Sequence, residues 1–256
     1  MPLVSVASFL GIRGIRRIAS DISSVCRFPS TRFIRLASRG IERLSLFERA
    51  NHIALVLDDV LAAPFPKAVR LLVEASGPPR NDPGYGPMEN FRLLAFTRLI
   101  SLKGRSHFFE SMVGLKQLTR RFTSEFDIRP FLIESEAATL ATLQKWIEDE
   151  DFHVRRLVSE STRSRLPWGV HIKAFQKDPS KVISIIECLN NDPVRYVQKS
   201  VANNLADIIK DNPEYGFSVA EHWTASGRVV TRKIVHHALR FPARQGSARA
   251  RLLRED

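Results

Sequence analysis

Carboxylates in a strongly basic chain are the residues here best placed to do chemistry. The 256-residue sequence carries 39 Lys and Arg against 27 Asp and Glu, a net charge of +12 at pH 7. That balance points to a polyanionic partner, nucleic acid before an anionic membrane. A surface meant for phosphates gains nothing from negative charge unless that charge meets something positive. Two hexapeptides nevertheless repeat an acid in one frame: residues 120–125 read RRFTSE and residues 155–160 read RRLVSE. On a helix beginning near His153, the residues Val154, Leu157 and Val158 share one side. Arg156, Glu160 and Arg163, spaced by four and three, stack on the other. The same frame predicts Arg121 and Glu125 outward with Phe122, Thr123 and Phe126 inward. It predicts Lys199, Asn203 and Asp207 outward with Val197 and Val201 inward. A single glutamate of this kind is an i,i+4 ion pair on a solvated face, worth about 0.3–0.5 kcal/mol. Three acids in register, Glu125, Glu160 and Asp207, suit the stabilisation of a cation, and a sugar-like oxocarbenium transition state is one.

The elements that must position these residues are helices. LSLFERANHIALVLDDVL (44–61) sets Leu46, Ala50, Ile53 and Leu57 along one stripe and stops before Pro64. GPPRNDPGYGP (77–87) is a loop. The spacing predicts further helices over 88–103, 107–119, 120–132, 136–147, 152–163, 168–176, 179–189, 193–209, 213–224 and 228–240. Alternating β-branched runs are missing, so the chain reads as all-α. The frame continues weakly at 198–203 and 232–237, with offsets of 35, 43 and 34 residues, in or near the range of HEAT-type two-helix repeats. The acidic turns at 149–151 and 191–193 supply N-cap and first-turn chemistry. A 44% hydrophobic and 26% charged composition is that of an ordinary soluble globular domain.

Cys26 and Cys188 stand far apart, and the seven histidines form no His-x-x-x-His pair, so neither a disulfide framework nor a metal or other cofactor is expected. No apolar run has the length of a bilayer span. Residues 1–40 are rich in Arg and Ser, with Asp21 the one acid. Leu10, Ile12, Ile15 and Ile18 recur at roughly helical spacing, so a basic helix of the fold is expected there, with a transit peptide as the alternative. Residues 241–256 read as a short basic tail.

RFTSEFDIRPFL (121–132), HVRRLVSESTRSRLPWG (153–169) and YVQKSVANNLADIIKDNPE (196–214) resemble the HEAT-like DNA alkylation repair glycosylases, specifically the AlkC branch. The resemblance spans roughly residues 10–240. It implies one domain over 1–256, a right-handed α-solenoid of HEAT-like two-helix repeats with a basic concave face. It also implies hydrolysis of the N-glycosidic bond of cationic alkylated bases such as 3-methyladenine, without full extrusion of the base. The family's active-site carboxylates fall on Glu125, Glu160 and Asp207, and its tryptophan on Trp168. With those assignments, Glu160 is expected to stabilise the cation, Asp207 to position water and Glu125 to support them. Trp168 would offer its π-face to positive charge. Arg121, Arg156, Arg163, Arg165, Lys199, Asn203 and Lys233 are expected on the DNA. Ser161 and Ser164 stand where the family pattern has Gly and Pro, and Ala206 where it has Asn. The immunoglobulin-like domain that some relatives append is not expected after residue 240. The implied partner is double-stranded DNA with alkylated bases, met by a monomer in a reducing cytoplasm at the bacterial nucleoid, with no membrane involved. The alternative is a non-catalytic nucleic-acid-binding or protein-interaction scaffold on the same fold.

Overall fold

The computed structural model describes residues 6–84 and 86–255; Met1–Ser5 of the basic N-terminal stretch, Tyr85 of the 77–87 loop and Asp256 of the tail lie outside the described residues. Among the described residues there is no strand, and the all-α expectation holds. The chain groups into two compact units, Met1–Phe131 and Leu132–Asp256.

The first unit runs through α1 (Ile12–Ser23), α2 (Ser30–Ala37), α3 (Leu46–Leu61), α4 (Phe65–Ala75), α5 (Leu94–Lys103) and α6 (Phe108–Thr119), and includes the start of α7 (Glu125–Glu134). α1 buries Ile15, Ile18 and Ile22 completely and packs on α2 and α4, so residues 12–23 form a helix of the first unit. α3 starts where Ser45 and Glu48 close a capping box, the Ser45 N–H donating to Glu48 Oε2 at 2.8 Å. It buries Ala50, Ile53 and Leu57 as its stripe requires. The 77–87 loop is anchored to the far end of α6: the Arg80 N–H donates to the Arg120 carbonyl at 2.8 Å, and Arg121 Nε to that of Gly77 at 2.7 Å.

The second unit contains α8 (Glu136–Trp146), α9 (Phe152–Ser161), the short α10 (Lys173–Lys177), α11 (Ser180–Leu189), α12 (Arg195–Asp211), α13 (Pro213–Ala225), α14 (Val229–Ala238), α15 (Arg240–Arg244) and α16 (Ala248–Glu255). Consecutive helices pair as α8–α9, α11–α12 and α13–α14, and the second helix of each pair lies beside the second helix of the next, α9 on α12 and α12 on α14. Val154, Leu157 and Val158 of α9, Val197, Val201 and Leu205 of α12 and Ile234 and Val235 of α14 are all buried along this ladder. Gly216 lets α13 approach α12, since a Cβ there would stand 2.6 Å from Ile209 Cγ1.

The two hexapeptides do not occupy equivalent places. RRLVSE lies wholly inside α9, whereas RRFTSE begins just after α6 and runs through a turn to the first residue of α7. A helix over 120–132 is therefore corrected to one that begins at Glu125. The 168–176 helix is likewise cut to Lys173–Lys177.

Candidate active site

α9 begins under an Asp151 N-cap, whose Oδ1 accepts the His153 N–H at 2.8 Å, and this fixes the turn on which Arg156 and Glu160 follow. Those residues do not face solvent. Arg156, Glu160 and Arg163 are 4%, 6% and 8% exposed, because α12 covers the face that periodicity assigned to water. α12 meets it with a polar stripe, Ser200, Asn204, Asp207 and Asp211, at i, i+4, i+7 and i+11. Ser200 Oγ donates to Glu160 Oε2 at 2.6 Å. Asn204 Nδ2 donates to the Ser159 carbonyl at 2.8 Å and to Thr162 Oγ1 at 3.1 Å. Arg163 joins the two carboxylates: Nη1 donates to Glu160 Oε1 at 2.8 Å, while Nε and Nη2 donate to Asp207 Oδ2 and Oδ1 at 2.9 and 3.3 Å. Asp211 takes Ser164 Oγ at 2.7 Å and Arg165 Nε at 2.5 Å.

Glu160 is a buried acid that remains charged. Burial alone would raise its pKa, but Arg156, with Nη2 3.7 Å from Oε2, Arg163 and the Ser200 hydroxyl outweigh that and hold the carboxyl below its ordinary range. Burial pulls the Arg163 guanidinium down, and Glu160 with Asp207 more than restore it, so its pKa is raised. Asp207 is the more accessible of the two acids, its side chain 14% exposed against 7% for Glu160. The site therefore offers one enclosed carboxylate whose ionised form is favoured and a second at the solvent boundary.

The loop leaving α9 carries Trp168. The Ile172 N–H donates to the Ser164 carbonyl at 3.2 Å and the Gly169 N–H to that of Leu166 at 3.1 Å. The inner turn is Leu166-Pro167-Trp168-Gly169, with Trp168 at φ +65°. Pro in the second place and a positive φ in the third is the type II pattern, which normally has Gly where Trp168 stands. Leu166 anchors the turn in the core at 3% exposure, and the indole is 70% exposed. An exposed aromatic on a left-handed backbone, two neighbours from a buried leucine, is a presented group and not a core one.

Of the seven residues expected on DNA, five have internal partners in the structure. Arg121 ties Gly77 and, through Nη1 at 2.7 Å, the Gln117 carbonyl. Arg156 lies over the Tyr196 ring at 5.0 Å, and Arg163 and Arg165 hold carboxylates as above. Asn203 Oδ1 accepts from Arg240 at 3.1 Å. Lys199 and Lys233 are exposed and line a groove of about 490 Å³ with Arg195, Gln198, His236 and His237. Burial and neighbouring cations, Arg254 beside His236 and Arg240 with Lys199 near His237, lower both histidine pKa values. Both shifts favour the neutral ring.

Glu125 belongs to the first unit, 1% exposed in the first turn of α7. The same turn carries Asp127, fully buried. Burial raises its pKa against the opposing pull of Arg98 and the Thr97 hydroxyl, which donates to Oδ2 at 2.5 Å. Sequence reasoning had no place for Ser200, Asn204, Asp211 or Asp127. The first three had a usable signal, polar residues at helical spacing on a helix whose other side is apolar. Both cysteines are free. Among the described residues no His, Cys, Asp and Glu cluster is arranged for a metal ion, and no helix is long and apolar enough to cross a membrane.

No protein-family model matches the chain. The uncharacterized protein YhaZ of Bacillus subtilis (strain 168) is 35% identical over 229 residues, covering 89% of this chain and 61% of its own length. The chain thus spans about three-fifths of that relative. Among solved structures, the Pseudomonas fluorescens alkylpurine DNA glycosylase AlkC, bound to DNA containing an abasic site analog, superposes with a TM-score of 0.89 at 35% identity. The match covers 97% of this chain and 68% of that one. Together with the motifs that carry Glu125, Glu160, Trp168 and Asp207, this identity and coverage place the chain in the AlkC family of DNA glycosylases.

Proposed function

We propose that the chain is a DNA glycosylase of base excision repair that hydrolyses the N-glycosidic bond of cationic alkylated bases in double-stranded DNA, working as a cytoplasmic monomer at the nucleoid. The observation that carries this reading is the ionised, enclosed Glu160 joined through Arg163 to Asp207. A base alkylated on a ring nitrogen already carries positive charge. When its bond to C1′ breaks, the electron pair stays with the base and neutralises it, leaving an oxocarbenium sugar. The protein need not protonate the leaving group. It must stabilise the sugar cation and deliver water, whose oxygen bonds C1′ while its proton passes to a carboxylate and then to solvent.

Glu160, with its pKa held low, is a poor base and a good fixed charge. Asp207, at the solvent boundary, is assigned to the water. Trp168 offers an indole face to the cationic sugar or base, and the motif match assigns a supporting part to Glu125. Because the charges address the sugar and not the base, full extrusion of the base is not required. Lys199 and Lys233, with Arg195 beside them, are assigned to backbone phosphates.

A second reading follows from charge balance. Two carboxylates against two guanidiniums also make a structural ion cluster, in which removing one partner costs about 3–5 kcal/mol. Single-turnover release of methylated base from alkylated duplex, run beside thermal melts, separates the two. Glu160→Gln and Asp207→Asn are expected to slow release by about a hundredfold or more while the folded protein persists. Undiminished release in both variants, or none from the wild type, would end the catalytic assignment.

A further inference from the structure

The arginines of the N-terminal helices have no part in the reaction above. On α1, Arg13, Arg16 and Arg17 recur at i, i+3 and i+4 with Ser20 one turn on, so they share one face, and all four are exposed. The opposite face is closed: Ile15, Ile18 and Ile22 are completely buried. Asp21 is already engaged, its Oδ1 with Arg17 Nε at 2.8 Å and its Oδ2 with buried Arg92 Nε at 2.7 Å. Among the described residues, neither Arg13 nor Arg16 forms an ion pair. Arg35 of α2 and Arg39 just after it are exposed in the same condition. Beside the stripe opens a groove of about 630 Å³ lined by Phe9, Arg13, Arg17, Asn90 and Arg92, with Glu89 as an acid in its lining.

Like charges three and four apart on a helix repel and destabilise it. Here Asp21 of the same helix is taken up by Arg17 and Arg92, so among the described residues the Arg13–Arg16 repulsion is not relieved by an ion pair. We propose that this α1 face and its groove form a contact surface of the first unit for the phosphate backbone of duplex DNA. The proposal rests on the DNA reading above and adds a site to it. Guanidiniums and a hydroxyl on one rigid face match phosphate oxygens and carry no base-reading geometry, so the contact is sequence-independent. An anionic membrane fits less well, because a helix that lies in a lipid interface needs an apolar face to insert, and that of α1 is closed by the core.

The test uses the full chain with Arg13→Glu and Arg16→Glu together, residues outside the α9–α12 cluster, and measures binding to undamaged duplex across a salt series. The slope of log affinity against log salt is expected to become shallower by about two, at roughly 0.9 for each phosphate no longer neutralised. Affinity at low salt should fall about tenfold or more, while Arg13→Lys with Arg16→Lys keeps the slope. Single-turnover base release at saturating protein should be unchanged. If the glutamate pair fails to fold in thermal melts, Arg13→Gln with Arg16→Gln carries the same expectation. An unchanged slope in a folded variant overturns the proposal. So does loss of binding to phosphatidylserine vesicles with duplex binding intact, which would assign the face to a membrane. A wild type that binds undamaged duplex with this slope yet releases no base would remove the glycosylase reading and leave the surface standing.

Discussion

Glu160 keeps its charge in a place where an isolated carboxyl would take up a proton. Burial disfavours the anion; Arg156 and Arg163, both themselves buried, and Ser200 favour it more strongly. Because the folded-state pKa is depressed, the ionised group contributes stability above its unfolded value. That contribution is lost as pH falls through the lower folded value, so stability and activity owed to Glu160 are flat through neutrality. Arg163→Gln removes one of the two cations and the hydrogen bond at 2.8 Å, and the Glu160 pKa must rise. The acid limb of single-turnover base release, followed from about pH 4 to 7, is expected to move to higher pH in this variant. Arg163→Lys should not restore it fully, since a lysine cannot make the forked contact with Asp207 while reaching Glu160. An acid limb that stays in place would mean that Glu160 does not govern it.

At the scale of the element, α9 carries the acid and the loop after it presents the indole, and the loop does so under strain. Trp168 stands at φ +65° where glycine is at ease, a cost of about 1 kcal/mol. Trp168→Gly is therefore expected to leave the melting temperature unchanged or slightly raised and to lose base release. Trp168→Phe should keep part of the activity because a ring face remains. A clear loss of stability in Trp168→Gly would instead make the indole a packing residue. The elements themselves were readable: the break at Pro64, the acidic turn that supplies the Asp151 cap and the stripe of Val154, Leu157 and Val158 each announce a helix by local chemistry. Periodicity misplaced one row of the candidate site. Hydrophobic spacing marks only apolar burial, so the Arg156, Glu160 and Arg163 row reads as surface although α12 covers it with a complementary polar stripe. Nor does spacing distinguish RRLVSE inside α9 from RRFTSE across a turn. In the first, Arg155 reaches forward to Asp192, Nε to Oδ2 at 2.6 Å. In the second, Arg121 reaches back to Gly77. Which arginines remain for phosphate depends on such long-range partners, and a single sequence does not display them.

For the whole molecule, charge decides the response to salt, and with opposite signs for the free and bound protein. At +12 the free chain repels itself, and the exposed arginines of α1 and α2 concentrate that repulsion. The ion pairs with the closest internal roles, Glu160–Arg163, Asp207–Arg163, Arg155–Asp192 and Asp21–Arg92, have largely buried side chains. Salt screens such pairs far less than exposed charges. Exposed pairs such as Arg32–Asp59 contribute about 0–1 kcal/mol each. Raising salt from roughly 0.01 to 0.1 M shortens the screening length from about 30 to about 10 Å, so more repulsion than attraction is removed. The melting temperature of the free protein is expected to rise over that range. Duplex binding must weaken over the same range, because each phosphate contact releases counterions. Bound ligand stabilises the fold by an amount that grows with its concentration relative to Kd, so the melting temperatures with and without duplex should converge as salt increases, one rising and the other falling. Parallel lines would show that the excess charge has no phosphate partner. A free-protein melting temperature that falls with salt would show that exposed ion pairs, not repulsion, dominate this surface.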